Sequence, residues 1–194
     1  MIADVSIDPA TIAPERIRPL RRVEYDQLVL AGAFEDERIE LLYGQLVAMS
    51  PTDPSHDTSV MELGELLMVR LGSRAKVRIQ CSFAASDDSE PLPDIVVSPR
   101  ASYWHDHPSR AHLVVEIART SLRKDRTIKA TLYGSVAVEE YWIVDVEGGC
   151  VHVLREPDGA GLWRGRTVVR RGDTVAPLAF PDVLVEVAAI LPPG

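Results

Sequence analysis

Short apolar runs separated by turn residues dominate the chain and predict a β-sheet. Alternating or continuously apolar segments are typical of strands, and they fall at 76–83, 92–98, 112–118, 140–146, 151–155 and 162–169. Two of these, HLVVEIA at 112–118 and EYWIVDV at 140–146, are apolar on both faces, which predicts buried strands. Two further runs around Tyr43-Gly44 predict a hairpin over 38–50.

Three other segments show the spacing of helices. Apolar residues recur every three or four positions from Val60 to Leu71, so a helix is predicted over 56–71 with Ser55 as its cap. Shorter helices are predicted over 24–30 and 124–136, and a last apolar segment covers 183–191.

This order of elements predicts an α/β fold with a mixed central sheet flanked by helices, an N-terminal hairpin and a β-rich C-terminal extension. Residues 1–20 lack periodicity and are interpreted as a flexible tail, which leaves 21–194 as a single domain of ordinary size. No apolar run is long enough to span a bilayer, and the N-terminus lacks the pattern of a secretory signal. Cys81 and Cys150 form no CxxC pair, so we expect a cytoplasmic protein without a disulfide framework.

The charged residues are unevenly distributed along the chain. The net charge of −8 argues against a protein that coats nucleic acid by bulk electrostatics. Residues 24–62 carry nine acidic residues and one basic residue, whereas 100–130 carry seven basic and three acidic residues. Such asymmetry indicates either a face that meets an anion or ordinary solvated surface charge.

Two carboxylates stand inside or beside apolar strands and are candidates for metal binding. Glu116 interrupts LVVEIA, and Asp94 begins the apolar run of PDIVV. A buried carboxylate is costly unless a cation or hydrogen-bond donors compensate it. If the two strands are neighbours, both carboxylates point into one cleft, where they would hold a divalent metal.

Lys129 adds a cation on the helix that follows the Glu116 strand, and Tyr133 lies one turn further along the same face. A lysine at a carboxylate-bound metal offsets the negative charge that develops during phosphoryl transfer. Carboxylates, metal and lysine together indicate phosphodiester hydrolysis.

The same residues carry a family resemblance. Pro93-Asp94 followed by Glu116 resembles the PD-(D/E)XK nuclease motif; Ala118 stands where the usual lysine would be, and Lys129 fits the variant with a migrated lysine. The segments IELLYGQLVAMSP, PLPDIVV, HLVVEIARTSLRKDRTIKATLY and VEEYWIVD resemble the Uma-two family of restriction-endonuclease-like proteins, in the same order. The resemblance covers most of the chain after residue 20.

The resemblance implies roles for individual residues. Asp94 and Glu116 match the metal ligands, with the backbone carbonyl of Ile117 as a third ligand, and Lys129 matches the catalytic lysine. Glu40 matches a glutamate that would contact the metal through water. The positions of His56 and Tyr133 match residues at the rim of the cleft. The expected protein is a homodimeric endonuclease that cleaves DNA with Mg²⁺ or Mn²⁺.

Several alternatives stay open on the sequence. The chain could be a non-catalytic DNA-binding or regulatory module that keeps the fold, or a hydrolase of RNA or a small nucleotide. Glu116 and Lys129 could form only a structural ion pair. His105, Asp106, His107 and His112 suggest zinc, but their loop setting and the lack of a matching partner disfavour it.

Overall fold

The structure, a computed structural model, describes residues 17–193. The predicted flexible tail lies outside the described residues except for 17–20, which have no regular secondary structure. The first half of the described chain contains α1 (Arg22–Leu30), β1 (Ile39–Leu42), β2 (Gln45–Ala48), α2 (Pro54–Leu71), β3 (Lys76–Ile79) and β4 (Ile95–Ser98). The second half contains β5 (Leu113–Ala118), a helix over 122–135, β6 (Glu140–Asp145), β7 (Cys150–Pro157), β8 (Trp163–Arg170), β9 (Thr174–Val175), β10 (Val185–Glu186) and a 3-10 turn (Val187–Ile190).

A six-stranded mixed sheet forms the centre of the molecule, in the order β3-β4-β5-β6-β7-β8. Only β5 and β6 run parallel; every other neighbouring pair is antiparallel. A parallel pair needs a crossover, and the 122–135 helix supplies it. The predicted fold class is confirmed, and β7 and β8, the long strands of the predicted β-rich extension, continue the central sheet. β1–β2 and β9–β10 form separate two-stranded pairs.

The two faces of β5 enter different layers. Successive strand residues point to opposite faces, and all six residues of β5 are buried, as predicted for a central strand. Val115 and Ile117 pack in the core that includes α2 and the C-terminal segment. Val114 and Ala118 pack instead in the core that includes Tyr133 of the 122–135 helix. Glu116 shares the parity of this second set, so its carboxylate enters the layer between sheet and helix.

Several predicted boundaries were wrong for local reasons. The helix α2 is capped by Asp53 rather than Ser55, since the Asp53 carboxylate accepts hydrogen bonds from the backbone of Ser55 (2.9 Å) and His56 (3.4 Å). Strand β3 ends at Ile79 because Gln80 adopts a φ of 48°, which the ladder does not accommodate.

The predicted helix 124–136 and the predicted segment 183–191 also differ from the structure. The helix begins at residue 122, ends at Ser135 and contains a π segment, Asp125–Lys129. There the backbone N–H of Ala130 donates to the carbonyl of Asp125, five residues back. The last apolar segment is a two-residue strand followed by a 3-10 turn.

Candidate active site

Asp94 and Glu116 lie opposite each other across neighbouring antiparallel strands. The antiparallel register pairs Ile95 with Val115, so Asp94, one residue before Ile95, lies across from Glu116, one residue after Val115. Cross-strand neighbours share a face and have Cβ atoms about 5 Å apart. Both side chains are buried, and both line the same cleft. The two carboxylates predicted from sequence therefore meet in one place.

Asp94 is held by two donors through the same oxygen. Its Oδ2 accepts a hydrogen bond from the backbone N–H of Ile117 at 2.8 Å and lies 3.2 Å from Nε2 of His56. The other ring nitrogen of His56 lies 3.2 Å from Asp57. Burial alone would lower the pKa of His56, but Asp94 and Asp57 outweigh it and raise the pKa to about 9. His56 is therefore a cation that orients Asp94.

Glu116 is held from the helix side. Its Oε1 accepts hydrogen bonds from Nζ of Lys129 at 2.8 Å and from the hydroxyl of Tyr133 at 2.9 Å. Burial raises the pKa of Glu116 to about 8, although Lys129 acts in the opposite direction. Burial thus disfavours the charged form of Glu116, and a second cation in the cleft would favour it.

Glu40 on the hairpin strand β1 forms ion pairs with both lysines of the 122–135 helix. Nζ of Lys129 lies 3.1 Å from Oε2 and Nζ of Lys124 lies 2.9 Å from Oε1. Burial would raise the pKa of Glu40, but the two lysines hold it below its usual value. Burial would also lower the pKa of Lys129, yet Glu116 and Glu40 raise it above the ordinary value. Lys129 is a fixed positive charge between two carboxylates.

The π segment explains how Lys124 and Lys129 reach the same carboxylate. In a regular α-helix, residues five apart point about 140° away from each other. The five-residue hydrogen-bonded turn of the π segment Asp125–Lys129 brings such residues onto one side. A π segment of this kind is frequent at functional sites.

One oxygen of each opposed carboxylate stays open to the cleft. Among the described residues, no donor reaches Oδ1 of Asp94 or Oε2 of Glu116, and neither atom belongs to the set of fully buried, unpaired polar atoms. Asp125 adds another buried carboxylate whose Oδ1 is enclosed and has no partner within residues 17–193. Burial raises the pKa of Asp125 as well.

The donor set fits a hard divalent cation. Four buried carboxylates face three cationic side chains, namely Glu40, Asp94, Glu116 and Asp125 against His56, Lys124 and Lys129. When all four are ionised they exceed the cations by one, and a bound cation would favour that ionised state. The open atoms are carboxylate oxygens, the ligands that Mg²⁺ and Mn²⁺ take. Asp94 and Glu116 are therefore the residues that would hold such an ion.

The cleft is open and has basic residues on its rim. It encloses about 340 Å³ and is bordered by the end of β2, the start of α2 and the loop after β5. Arg38, Arg119 and Lys124 belong to its lining, and Arg119 also lies 3.0 Å from Asp53. Basic side chains around a carboxylate centre suit an anionic ligand that reaches a bound cation.

The residues predicted for the nuclease site line this cleft or lie directly behind it. Asp94, Glu116, Ile117 and Lys129 line it, and Glu40 lies behind them in contact with Lys129. His56 contacts Asp94 directly, and Tyr133 is buried behind Glu116 instead of at the rim. The catalytic and metal-binding roles of these residues stay predictions.

Sequence reasoning missed Asp125 and Lys124. Both stand in RKDRTIK, a charged stretch that is typical of a solvated helix face. The signal that could have found them is the density of charge next to the predicted catalytic lysine.

The disfavoured zinc cluster does not form. His105 and His107 line a separate pocket beside Glu90. His112 instead contacts Glu139 at 3.2 Å and the ring of Phe180. The histidines of this stretch therefore do not converge on one point.

Comparison with known families agrees with the geometry. The family Uma2, described as "Putative restriction endonuclease", matches residues 22–188. This chain belongs to the Uma2 family. The match spans α1 to the last 3-10 turn and includes every residue of the cleft described above. The resemblance inferred from the sequence is confirmed.

A solved structure from Anabaena variabilis is similar over nearly the whole fold. It is described as a "putative nuclease belonging to DUF820", shares 15% identity and has a TM-score of 0.68. The similarity covers 89% of this chain and 97% of that one, which shows a common fold. No curated protein matches this chain. Among the described residues, no helix is both long and apolar enough to cross a membrane.

Proposed function

We propose that this chain is a metal-dependent endonuclease that hydrolyses phosphodiester bonds in DNA with Mg²⁺ or Mn²⁺. One observation carries the proposal: Asp94 and Glu116 face each other across two strands with one oxygen each open to the cleft, and Lys129 is buried beside them. Membership of a nuclease-like family supports the reaction class.

Each side chain has a distinct part in the proposed reaction. Asp94, Glu116 and the carbonyl of Ile117 would hold the cation, which supplies a polarised phosphate and an activated water. Lys129 offsets negative charge that develops at the phosphate. Glu40 positions Lys129 and would contact the metal through water, and His56 positions Asp94.

A homodimer is part of the same proposal. A single cleft can cut one strand at a time, so a double-strand break needs two sites. Sedimentation velocity measures the mass in solution, and plasmid assays separate nicked from linear product. A monomer that only nicks DNA would contradict this part without affecting the assignment of the cleft.

The central test is cleavage by matched variants. Supercoiled DNA, linear DNA and RNA are incubated with wild-type protein in Mg²⁺, Mn²⁺ or EDTA, alongside Asp94→Asn and Lys129→Met. Asparagine keeps an oxygen that accepts from Ile117, so the fold of Asp94→Asn is retained while a charged ligand is lost. We expect DNA cleavage with metal only, and a loss of at least about a hundredfold in both variants.

Two exposed residues provide control variants for this test. Asp36→Asn and Lys76→Met make the same chemical changes at exposed positions and should leave cleavage unchanged. Cleavage that survives Asp94→Asn and Lys129→Met would overturn the site. Metal binding by calorimetry without cleavage would favour a non-catalytic module, and cleavage of RNA alone would identify a ribonuclease.

The structural ion-pair alternative makes a different prediction. If Glu116 and Lys129 serve only the fold, Glu116→Gln lowers the melting temperature and metal ions have no effect on either protein. The proposed function predicts instead that Mg²⁺ or Mn²⁺ raises the melting temperature of wild type but not of Glu116→Gln, because binding to the folded state stabilises it. Thermal unfolding with and without metal decides between them.

A further inference from the structure

We propose a second metal site, formed by Asp145, Cys150 and His152, that binds Zn²⁺ or a similar borderline divalent ion. The site lies at the turn between β6 and β7 and is separate from the cleft. It does not depend on the proposed nuclease function, because none of its ligands belongs to the cleft lining.

Strand pairing brings the three ligands together. Asp145 and Cys150 are direct partners in the β6–β7 ladder, so their side chains share a face. His152 lies two residues beyond Cys150 on the same strand and therefore points to that face as well. One ligand atom from each residue lies within 4.8 Å of both others. Six consecutive paired positions between the strands make this arrangement rigid.

The separations suit a shared ion better than direct hydrogen bonds. Nε2 of His152 lies 3.6 Å from Oδ2 of Asp145 and 3.8 Å from Sγ of Cys150. With ordinary Zn–N, Zn–O and Zn–S bond lengths, two ligands of a tetrahedral ion are separated by roughly 3.4 Å for N and O and roughly 3.6 Å for N and S. Shortening these two contacts by a few tenths of an ångström would bring the imidazole to both separations, and the carboxylate and thiolate lie within 4.8 Å of each other.

The geometry also excludes a nucleophilic relay among these residues. In a Cys-His-Asp relay, the acid holds one ring nitrogen and the thiol contacts the other. Here both neighbours approach the same nitrogen, Nε2 of His152. Three lone-pair donors that converge on one point are what a metal ion requires.

The surroundings fix the ligands in place. Oδ1 of Asp145 accepts a hydrogen bond from the backbone N–H of Gly148 at 2.7 Å, which directs Oδ2 toward His152. Such outer contacts orient metal ligands in many sites. A side chain at position 148 would collide with the same carboxylate, so the glycine permits the arrangement. Cys150 is buried, and burial and Asp145 raise the pKa of its thiol, while Arg170 and Arg126 act in the opposite direction. A bound metal ion would favour the thiolate.

The site is distinct from the cleft although both lie on one face of the sheet. Glu116 pairs with Ile143, which pairs in turn with His152. The two metal positions are therefore two strands apart, roughly 10 Å across the sheet. Ligand chemistry separates them further, because thiolate and imidazole favour Zn²⁺ over Mg²⁺.

Co²⁺ tests the site directly, since a thiolate bound to Co²⁺ gives a near-ultraviolet charge-transfer band. The full chain is titrated with Co²⁺ alone, followed by Zn²⁺ in competition. We expect one equivalent of the band in wild type and its loss on adding Zn²⁺. Cys150→Ser should abolish the band, and His152→Asn should weaken Co²⁺ binding by about tenfold or more.

Two controls make the result specific. Cys81→Ser removes the other cysteine and should leave the band intact, as should Asp94→Asn, which removes a ligand of the cleft. Circular dichroism confirms that each variant is folded. The proposal is overturned if folded wild type shows no band at saturating Co²⁺, if Cys150→Ser retains it, or if Cys81→Ser loses it.

Discussion

Glu90 is a buried carboxylate outside the cleft whose charge state sets a pH dependence of stability. Its Oε2 accepts no hydrogen bond from the described residues, and the nearest cation, Arg22, is 3.8 Å away. Burial raises the pKa of Glu90 to about 7, with Asp26 acting in the same direction and Ser82 and Arg22 against it. The folded protein therefore keeps a proton that the unfolded chain releases near its ordinary pKa.

The sign of the effect follows from this raised pKa. Between about pH 4.3 and about pH 7, the folded state binds the additional proton, so the free energy of unfolding decreases as pH rises, by about 4 kcal/mol at most. Glu90→Gln stays neutral and should be more stable than wild type at about pH 8, with the difference vanishing toward acid. Urea unfolding of both proteins across this pH range measures the difference in stability. Glu65→Gln, at an exposed position, should show no such trend. If the difference in free energy of unfolding between Glu90→Gln and wild type did not change with pH, the raised pKa of Glu90 would be contradicted.

Individual residues of the cleft differ in how far the sequence predicts them. Asp94 and Glu116 stand out because a carboxylate in an apolar strand requires compensation. Lys129 stands out only through its spacing after the Glu116 strand and through the family resemblance, since a lysine on a helix is otherwise a surface residue. Asp125 and Lys124 were missed, and their only signal was the density of charge near Lys129. Regular helical periodicity points Lys124 away from the side of Lys129, and the π segment brings the two lysines together.

At the scale of elements, the contact between the 122–135 helix and strand β8 positions the buried lysine. A Cβ added at Gly134 would lie 2.8 Å from Nε1 of Trp163 and 3.0 Å from the backbone of Gly161. The same indole N–H donates to the carbonyl of Ala130, next to Lys129, at 2.8 Å. The helix can approach the sheet this closely only because residue 134 has no side chain.

Gly134→Ala should therefore destabilise the fold. The expected loss is about 1–2 kcal/mol, because overpacking against the indole and backbone outweighs the better helix propensity of alanine. Chemical denaturation measures the change. Gly165→Ala is a matched control, since its nearest contact would be an ordinary 3.5 Å, and it should change stability by less than about 0.5 kcal/mol. Equal stability of Gly134→Ala and wild type would show that the helix shifts without cost.

The elements themselves were largely predictable from hydrophobic spacing, and their ends were not. Strands β5 and β6 are apolar on both faces and were correctly predicted as buried. Strand β3 was predicted too long because the positive φ of Gln80 depends on tertiary contacts that no local pattern records. The order in which the strands pair could not be predicted from the sequence either. The one exception is the idea that the strand of Asp94 and the strand of Glu116 are neighbours.

At the scale of the whole molecule, two features of the charge distribution oppose each other. The basic residues at the rim of the cleft would attract DNA, whereas the net negative charge of the chain would repel it. The chain carries −8 overall, and three buried carboxylates line its cleft with Glu40 behind them. Only Arg38, Arg119 and Lys124 supply positive charge at the rim, and Lys124 is already paired with Glu40. Phosphates approaching this centre meet no net positive charge, because the carboxylates balance the arginines, lysines and His56, unless a cation is bound between the carboxylates and the phosphate.

DNA affinity should consequently depend on the metal more than on bulk electrostatics. With Ca²⁺, which takes the same oxygen ligands, we expect a short duplex to bind at least about tenfold more tightly than in EDTA. Asp94→Asn should abolish this increment while leaving the weak binding in EDTA unchanged, and Asp36→Asn should behave like wild type. Fluorescence anisotropy gives the affinities, and a gel checks that the duplex stays intact. Tight binding in EDTA that Ca²⁺ does not improve would place the DNA contacts on another surface, because the cleft has no other excess of positive charge to attract a phosphate.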